Sequence, residues 1–285
     1  MKRRHKEADL GGLLERLLAD SDLEARLDHD PLGLVRPYES RDDREVAGLI
    51  AALLAFGSVS VIRRNVRRVL DVLGERPAEG LDALDSRTIR RRLRGFRHRV
   101  YGEREVGDLL LNARRLRARN GSLGEALGEA IDAHDGELLD GLAVFADSLR
   151  GRNPSRAMAH LVPDPRAGSA CKRLFLYLRW MVRPDDGIDL GVFQGIDPSK
   201  LLIPVDTHIH RICRNLGLTT YKTASLRAAI EITESLRRYD PLDPVRFDFA
   251  LCHLGIARDC PSRSVPQICS QCVLQPACTI PLLSD

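Results

Sequence analysis

Residues 41 to 73 set the narrowest limit on the fold. The run RDDREVAGLIAALLAFG at 41–57 is almost wholly apolar after its first turn. Ile62, Val66, Val69 and Leu73 follow at i, i+4, i+7 and i+11, the spacing of one helix face. No segment of the chain alternates convincingly with period two, so the expectation is an all-α fold. Asp42, Asp43 and Glu45 fall in the first turn of the earlier helix, where the helix dipole favours carboxylates, and Gly57 is expected to end it.

Further helices are expected within residues 1–37, in short pieces from 74 to 151, and at 171–182, 207–216, 223–238 and 245–256. Residues 184–203 read as a polar loop punctuated by proline and glycine. The chain has 285 residues, 44% of them hydrophobic, enough for one large domain or two lobes. No apolar run approaches the roughly 18 residues of a membrane span. The N-terminus MKRRHKEADL is basic without an apolar stretch behind it, unlike a signal peptide, so a cytoplasmic protein is expected.

Seven cysteines are present. Cys171, Cys213 and Cys252 lie in apolar helical runs and read as buried small hydrophobes. Cys260, Cys269, Cys272 and Cys278 are spaced C-x8-C-x2-C-x5-C. Four thiolates tethered this closely can wrap one cluster or ion. Only one CxxC pair is present, whereas zinc sites usually use two, so the spacing favours an iron–sulfur cluster over zinc.

The net charge is only +4 and the pI about 8.7, but arginine is clustered. Arg63, Arg64, Arg67 and Arg68 form one stripe, Arg90 to Arg99 a second, and Arg114, Arg115, Arg117 and Arg119 a third. Such stripes suit phosphate contacts, although a solvated helix face gives the same pattern. Lys172 opens the apolar helix after GSAC, and Asp206 stands as a natural N-cap before Thr207. His208 and His210, two apart, point to different helix faces and do not make joint metal ligands.

Several of these motifs resemble endonuclease-III-like DNA glycosylases of the helix-hairpin-helix superfamily. GIARDC…CSQCVLQPAC resembles the [4Fe-4S] loop that closes those enzymes, and PVDTHIHRIC their catalytic-aspartate motif. EVAGLIAALLAFGSVSVIRRNVRRVL resembles their early helix pair, and GFRHR (95–99) one of their loop-to-helix corners. The resemblance departs at the hairpin: where the family reads LPGVGxKTA, this chain has PDPRAGSACKRL. Archaeal-type 8-oxoguanine glycosylases also carry a degenerate hairpin and a long gap before the aspartate. At LLAFG (53–57) many relatives have a glutamine that fills the space left by the flipped base. The stretch CKRLFLYLRWMVRPDD resembles a bacterial family with no assigned function.

The resemblance implies two helical lobes. Residues 41–198 would form a helical barrel lobe, and 1–40 with 199–285 a second lobe carrying the four-cysteine loop and its [4Fe-4S] cluster. It implies a monomeric DNA base-excision glycosylase acting on double-stranded DNA with a flipped damaged base. Asp206 would stabilise the oxocarbenium-like sugar, and Lys172 would attack C1′ and form a Schiff base, giving AP-lyase activity. That amine must be partly neutral, through burial or through a cation such as Arg173. Arg63, Arg64, Arg67, Arg99, Arg173 and His208 are the expected DNA contacts. Phe193 is a candidate to stack on the flipped base, while Phe175 and Trp180 suit the core. A non-catalytic nucleic-acid-binding protein on the same iron–sulfur scaffold is the alternative.

Overall fold

The computed structural model describes residues 9–257 and 259–280. The basic N-terminal tail (1–8), Arg258 of the GIARDC run and residues 281–285 of the expected second lobe lie outside the described residues.

The described chain opens with α1 (Leu10–Asp20) and α2 (Leu23–Leu27). Asp9 and Asp22 cap them by accepting the backbone N–H groups of Gly12 (3.1 Å) and Ala25 (3.0 Å). Next come α3 (Arg41–Leu53), α4 (Val59–Leu73), α5 (Pro77–Ala83) and α6 (Ser86–Arg92). A two-residue hairpin pairs β1 (Arg97–His98) with β2 (Tyr101–Gly102), Arg97 opposite Gly102. The GFRHR corner is this hairpin, and Arg99 takes the left-handed turn position at φ 56°. α7 (Glu103–Asn120), α8 (Leu123–Asp132), α9 (Leu138–Arg150) and α10 (Arg156–Leu161) follow. α11 (Lys172–Val182) and α12 (Thr207–Asn215) flank the long connection. α13 (Leu226–Arg237), α14 (Asp248–Ile256) and the single turn α15 (Pro266–Cys269) complete the described chain. The protein is all-α apart from that hairpin among the described residues.

Helix α3 lies at the centre, packed against α11, α4, α5 and α8. Every residue from Glu45 to Leu53 is buried, and each large aliphatic side chain contributes about 1.5–3 kcal/mol of transfer free energy. Helix α3 ends at Leu53, before the expected stop. Gly57 lies in the following loop at φ 121°, a conformation that a side chain would resist.

Two acidic residues of α3 do more than complement their own helix dipole. Asp43 accepts the N–H of Ala78 in the first turn of α5 (2.8 Å). Glu45, fully buried, accepts those of Leu123 (2.9 Å) and Gly124 (3.1 Å) at the start of α8. They satisfy orphan donors of neighbouring helices. Burial pushes the Glu45 carboxyl up, against the pull of these two N–H groups.

The segment 184–203 is not a polar loop lying aside. Ile188, Leu190, Val192, Phe193, Leu201 and Ile203 are buried. Its backbone is tied to α11 by Leu190 N–H to Trp180 O (2.8 Å) and Phe193 N–H to Met181 O (2.7 Å). Phe193 packs edge-on against Tyr177 (5.5 Å) and close to Gly124, so it is a core residue and cannot stack on a base. Asp189, fully buried, pairs with Arg179 (3.2 Å) and Arg183, which fastens the connection beneath α11. The N-terminal helices α1 and α2 pack on α14. No helix among the described residues is long and apolar enough to cross a membrane.

Candidate active site

Lys172 and Asp206 meet at the floor of a cavity of about 540 Å³. Lys172 is the first residue of α11 and follows Cys171, whose left-handed backbone (φ 44°) turns the chain into the helix. Asp206 is the N-cap of α12: its Oδ1 accepts from His208 N (2.8 Å) and Ile209 N (2.9 Å). That leaves Oδ2 for Lys172 Nζ, 3.0 Å away. The side chains are 30% and 18% exposed. One carboxylate therefore fixes the helix start with one oxygen and holds the amine with the other.

The electrostatics differ from the sequence expectation. Burial lowers the Lys172 pKa, but the Asp206 charge outweighs it and holds the ammonium above its ordinary value. Burial likewise raises Asp206, and Lys172 together with the Ile209 N–H outweighs it, leaving the carboxylate below its ordinary range. The pair is thus a charged ion pair at neutral pH. Arg173 does not depress the lysine. It is buried, with its guanidinium on Tyr101 Oη and His160 O, and this removes it from a phosphate-binding surface.

Further polar groups line the cavity. Cys252, on α14, places Sγ 4.0 Å from Asp206 Oδ2. It is partly buried and packs against the apolar core, as its sequence context suggested, and it also lines the site. Burial, then the Asp206 charge, pushes its thiol well above the ordinary value, so it stands as a neutral S–H. Asp248, also on α14, pairs with Arg179 of α11. Burial pushes its carboxyl up to about 6 even against that cation. His253 lies 3.5 Å from Asp30 and packs at a tilt of 42° against Phe249, ring centroids 4.2 Å apart. The available signal was a lone charge inside each apolar run, Arg179 within LFLYLRWMV and Asp248 within FDFALCHLG.

Helices α12 and α14 approach closely where His208 meets Gly255. A Cβ on Gly255 would lie 2.6–2.8 Å from the His208 Cβ and ring. His208 Nδ1 is buried without a hydrogen-bond partner, so this residue works as a wedge between the helices. His210 turns the other way and meets Tyr221 O (3.1 Å). At the cavity mouth Phe56 is 36% exposed, with the exposed Arg99 guanidinium 5.0 Å from its ring. Of the first arginine stripe, Arg64 and Arg67 are exposed. Arg63 is half-buried and donates to Asp30 O.

The four C-terminal cysteines are all free thiols. Their loop is docked on α12 by Arg211 Nη2 to Cys260 O (2.6 Å) and by Thr279 N–H to Asn215 O (2.7 Å). Burial pushes Cys260 and Cys272 up. Cys272 and Cys278 add to this at Cys260, as do Cys278 and Cys269 at Cys272. No three His, Cys, Asp or Glu side chains among the described residues are arranged to hold a metal ion.

Residues 30–257 match the profile of a family described as protein of unknown function, DUF2400. The chain belongs to the DUF2400 family. No curated protein and no solved structure matches it. The match runs from Asp30 to Ala257 and so contains Lys172, Asp206, Asp248 and Cys252 of this DUF2400 chain, while the four-cysteine loop follows it.

Proposed function

We propose that the protein is a DNA base-excision glycosylase with an associated lyase step, acting at Lys172 and Asp206. The observation that carries this reading is the Lys172–Asp206 pair, amine and carboxylate 3.0 Å apart at the floor of a cavity open to solvent. A nucleotide flipped out of a duplex brings its C1′ to such a pair. The motifs resembling endonuclease-III-like glycosylases, read across the two helical lobes expected of that superfamily, add independent support.

In the first step the bond from C1′ to the base breaks and a cationic sugar forms. Asp206 is fixed by two backbone N–H groups and stays ionised beside that cation. Its charge is then shared, and its hold on the Lys172 ammonium weakens. One ammonium proton goes to the departing base, and the freed amine bonds to C1′. A second proton passes to O4′ as the ring opens, leaving a protonated imine between Nζ and C1′. Phe56 and Phe249 give the cavity apolar walls, and the Cys252 thiol lines it beside the pair.

The donor chemistry of the C-terminal loop, four free thiols on one tethered loop beside the Arg211 cation, suits a [4Fe-4S] cluster, and binding would have to draw the thiols together, since no three of them are arranged around a metal site among the described residues. Cys260, Cys269, Cys272 and Cys278 would hold it. A bound cluster would add a fastening to a loop whose Leu274 is already buried in the core.

Borohydride trapping against duplexes carrying a panel of damaged bases tests the reading. A covalent adduct formed by the native protein and lost in Lys172→Gln is the expected result. If no base is released from any lesion by a correctly folded protein, the glycosylase assignment fails, and a non-catalytic DNA-binding role takes its place.

A further inference from the structure

The Lys172 cavity is one end of a longer surface trough. Phe56 and Lys172 are shared with a second hollow beside the Ser169–Cys171 turn. That hollow shares Ala159, Asp164 and Ala167 with a third beside Arg150 and Arg152. The third opens across Arg150 and Arg152 into a groove of about 700 Å³ along α7.

Six arginines, Arg90, Arg104, Arg115, Arg119, Arg150 and Arg152, line this last groove with a single carboxylate, Asp108. Asp108 serves Arg90 (2.8 Å) and Arg104 (3.9 Å) together. Arg150 is buried and held by Asp147 and Asp164. Arg115, Arg119 and Arg152 are exposed and make no ion pair among the described residues. Arg115 donates to Asn112 Oδ1 (2.8 Å), which props its guanidinium on the groove wall. Arg115 and Arg119 are i and i+4 on one helix, a like-charge pair that repels. A solvated helix face relieves such repulsion with interspersed carboxylates. A concave wall that leaves it unrelieved is complementary to a polyanion.

We infer that this groove seats the phosphate backbone of one DNA strand flanking the nucleotide held at Lys172. The inference rests on the DNA reading above and adds the path of the strand. From Arg104 to Arg119, α7 rises fifteen residues, roughly 22 Å. At about 3.4 Å of axis per phosphate of one strand, that length faces about six phosphates, close to the arginine complement of the groove.

The test uses the full chain carrying Arg115→Ala, Arg119→Ala and Arg152→Ala together. These side chains are exposed, so the variant is expected to fold, and an unchanged circular dichroism melt checks this. Affinity for undamaged duplexes of about 30 and about 10 base pairs is measured by fluorescence anisotropy over a range of potassium chloride, at about 0.9 of slope per phosphate contact. The expected result is that the slope of log affinity against log salt becomes shallower by about 2–3 on the long duplex only. No change on the long duplex, or an equal change on both, overturns the strand path. Competition by inorganic polyphosphate that matches duplex DNA phosphate for phosphate marks a general anion surface and also overturns it. If no lesion is excised yet the length-dependent slope change is found, the glycosylase reading fails and the groove assignment stands. If excision is found without the slope change, only the groove assignment fails.

Discussion

Replacing Asp206 by asparagine separates the electrostatic role of this residue from its structural one. Asparagine caps helices about as well as aspartate, so the α12 start loses only a few tenths of a kcal/mol. What goes is the charge 3.0 Å from Lys172 Nζ. At an effective dielectric of about 20 the Coulomb attraction at this distance is about 5 kcal/mol. Desolvation of the two partly buried ions, several kcal/mol for each at full burial, offsets much of it. The net loss of stability is therefore about 1–3 kcal/mol, a fall in Tm of about 2–12 °C at roughly 2–4 °C per kcal/mol. Burial, no longer opposed by Asp206, should lower the Lys172 pKa. Reductive methylation of Lys172 near pH 8, followed by mass spectrometry, should then be faster in Asp206→Asn than in the native protein. Base release should fall by about 10²–10³, the usual effect of deleting one charge-stabilising group. Native-like excision, or Lys172 methylation at the native rate, would falsify the charge-coupling account. Asp206→Ala removes the cap as well and should cost about 1 kcal/mol more than asparagine.

Three other outcomes are expected. Gly255→Ala drives a methyl group into His208, with contacts of 2.6–2.8 Å to be relieved. It should cost about 1–3 kcal/mol in a denaturant melt and reduce excision by tilting α12, whereas Gly128→Ala, where an added Cβ meets nothing within 4 Å, leaves the site untouched. Asp248 has a folded pKa of about 6 against an ordinary 3.8. A raised acid is protonated more readily when folded, so its charge costs nothing below the unfolded pKa and its full amount above the folded one. The stability of the native protein relative to Asp248→Asn should drop by about 2 kcal/mol from pH 4 to 7, and a flat difference refutes the assignment. Protein prepared without oxygen should be brown, absorb broadly near about 400 nm and contain iron and sulfide; stoichiometric zinc alone removes the cluster.

Local signals carried most of the helix inventory. The spacing of Ile62, Val66, Val69 and Leu73 fixed α4, and Asp206 before Thr207 fixed the start of α12, because both depend on interactions within a few residues. The all-α class followed from the same periodicity. The four-cysteine loop stood out in the sequence as a candidate ligand set because its sulfurs are close along the chain, and the structure does not bring three of them around a metal site among the described residues.

Long-range packing decided the rest. Glu45 looked like a dipole-matched first-turn residue, but α3 crosses the start of α8, so its carboxylate serves Leu123 and Gly124. The 184–203 connection looked polar because glycine, proline and aspartate punctuate it. Its alternate aliphatic residues enter the core because Arg179 and Arg183 neutralise Asp189 beneath α11. Cys252 looked apolar by its neighbours, yet the α12–α14 crossing at Gly255 turns it toward Asp206. Composition near a residue sets its helix, while the partner across a helix crossing sets its charge state. Sequence by itself therefore determined the helices and named Lys172 and Asp206. Only the tertiary structure brought the two together, with the lysine protonated, because burial and Coulomb attraction act through space and not along the chain.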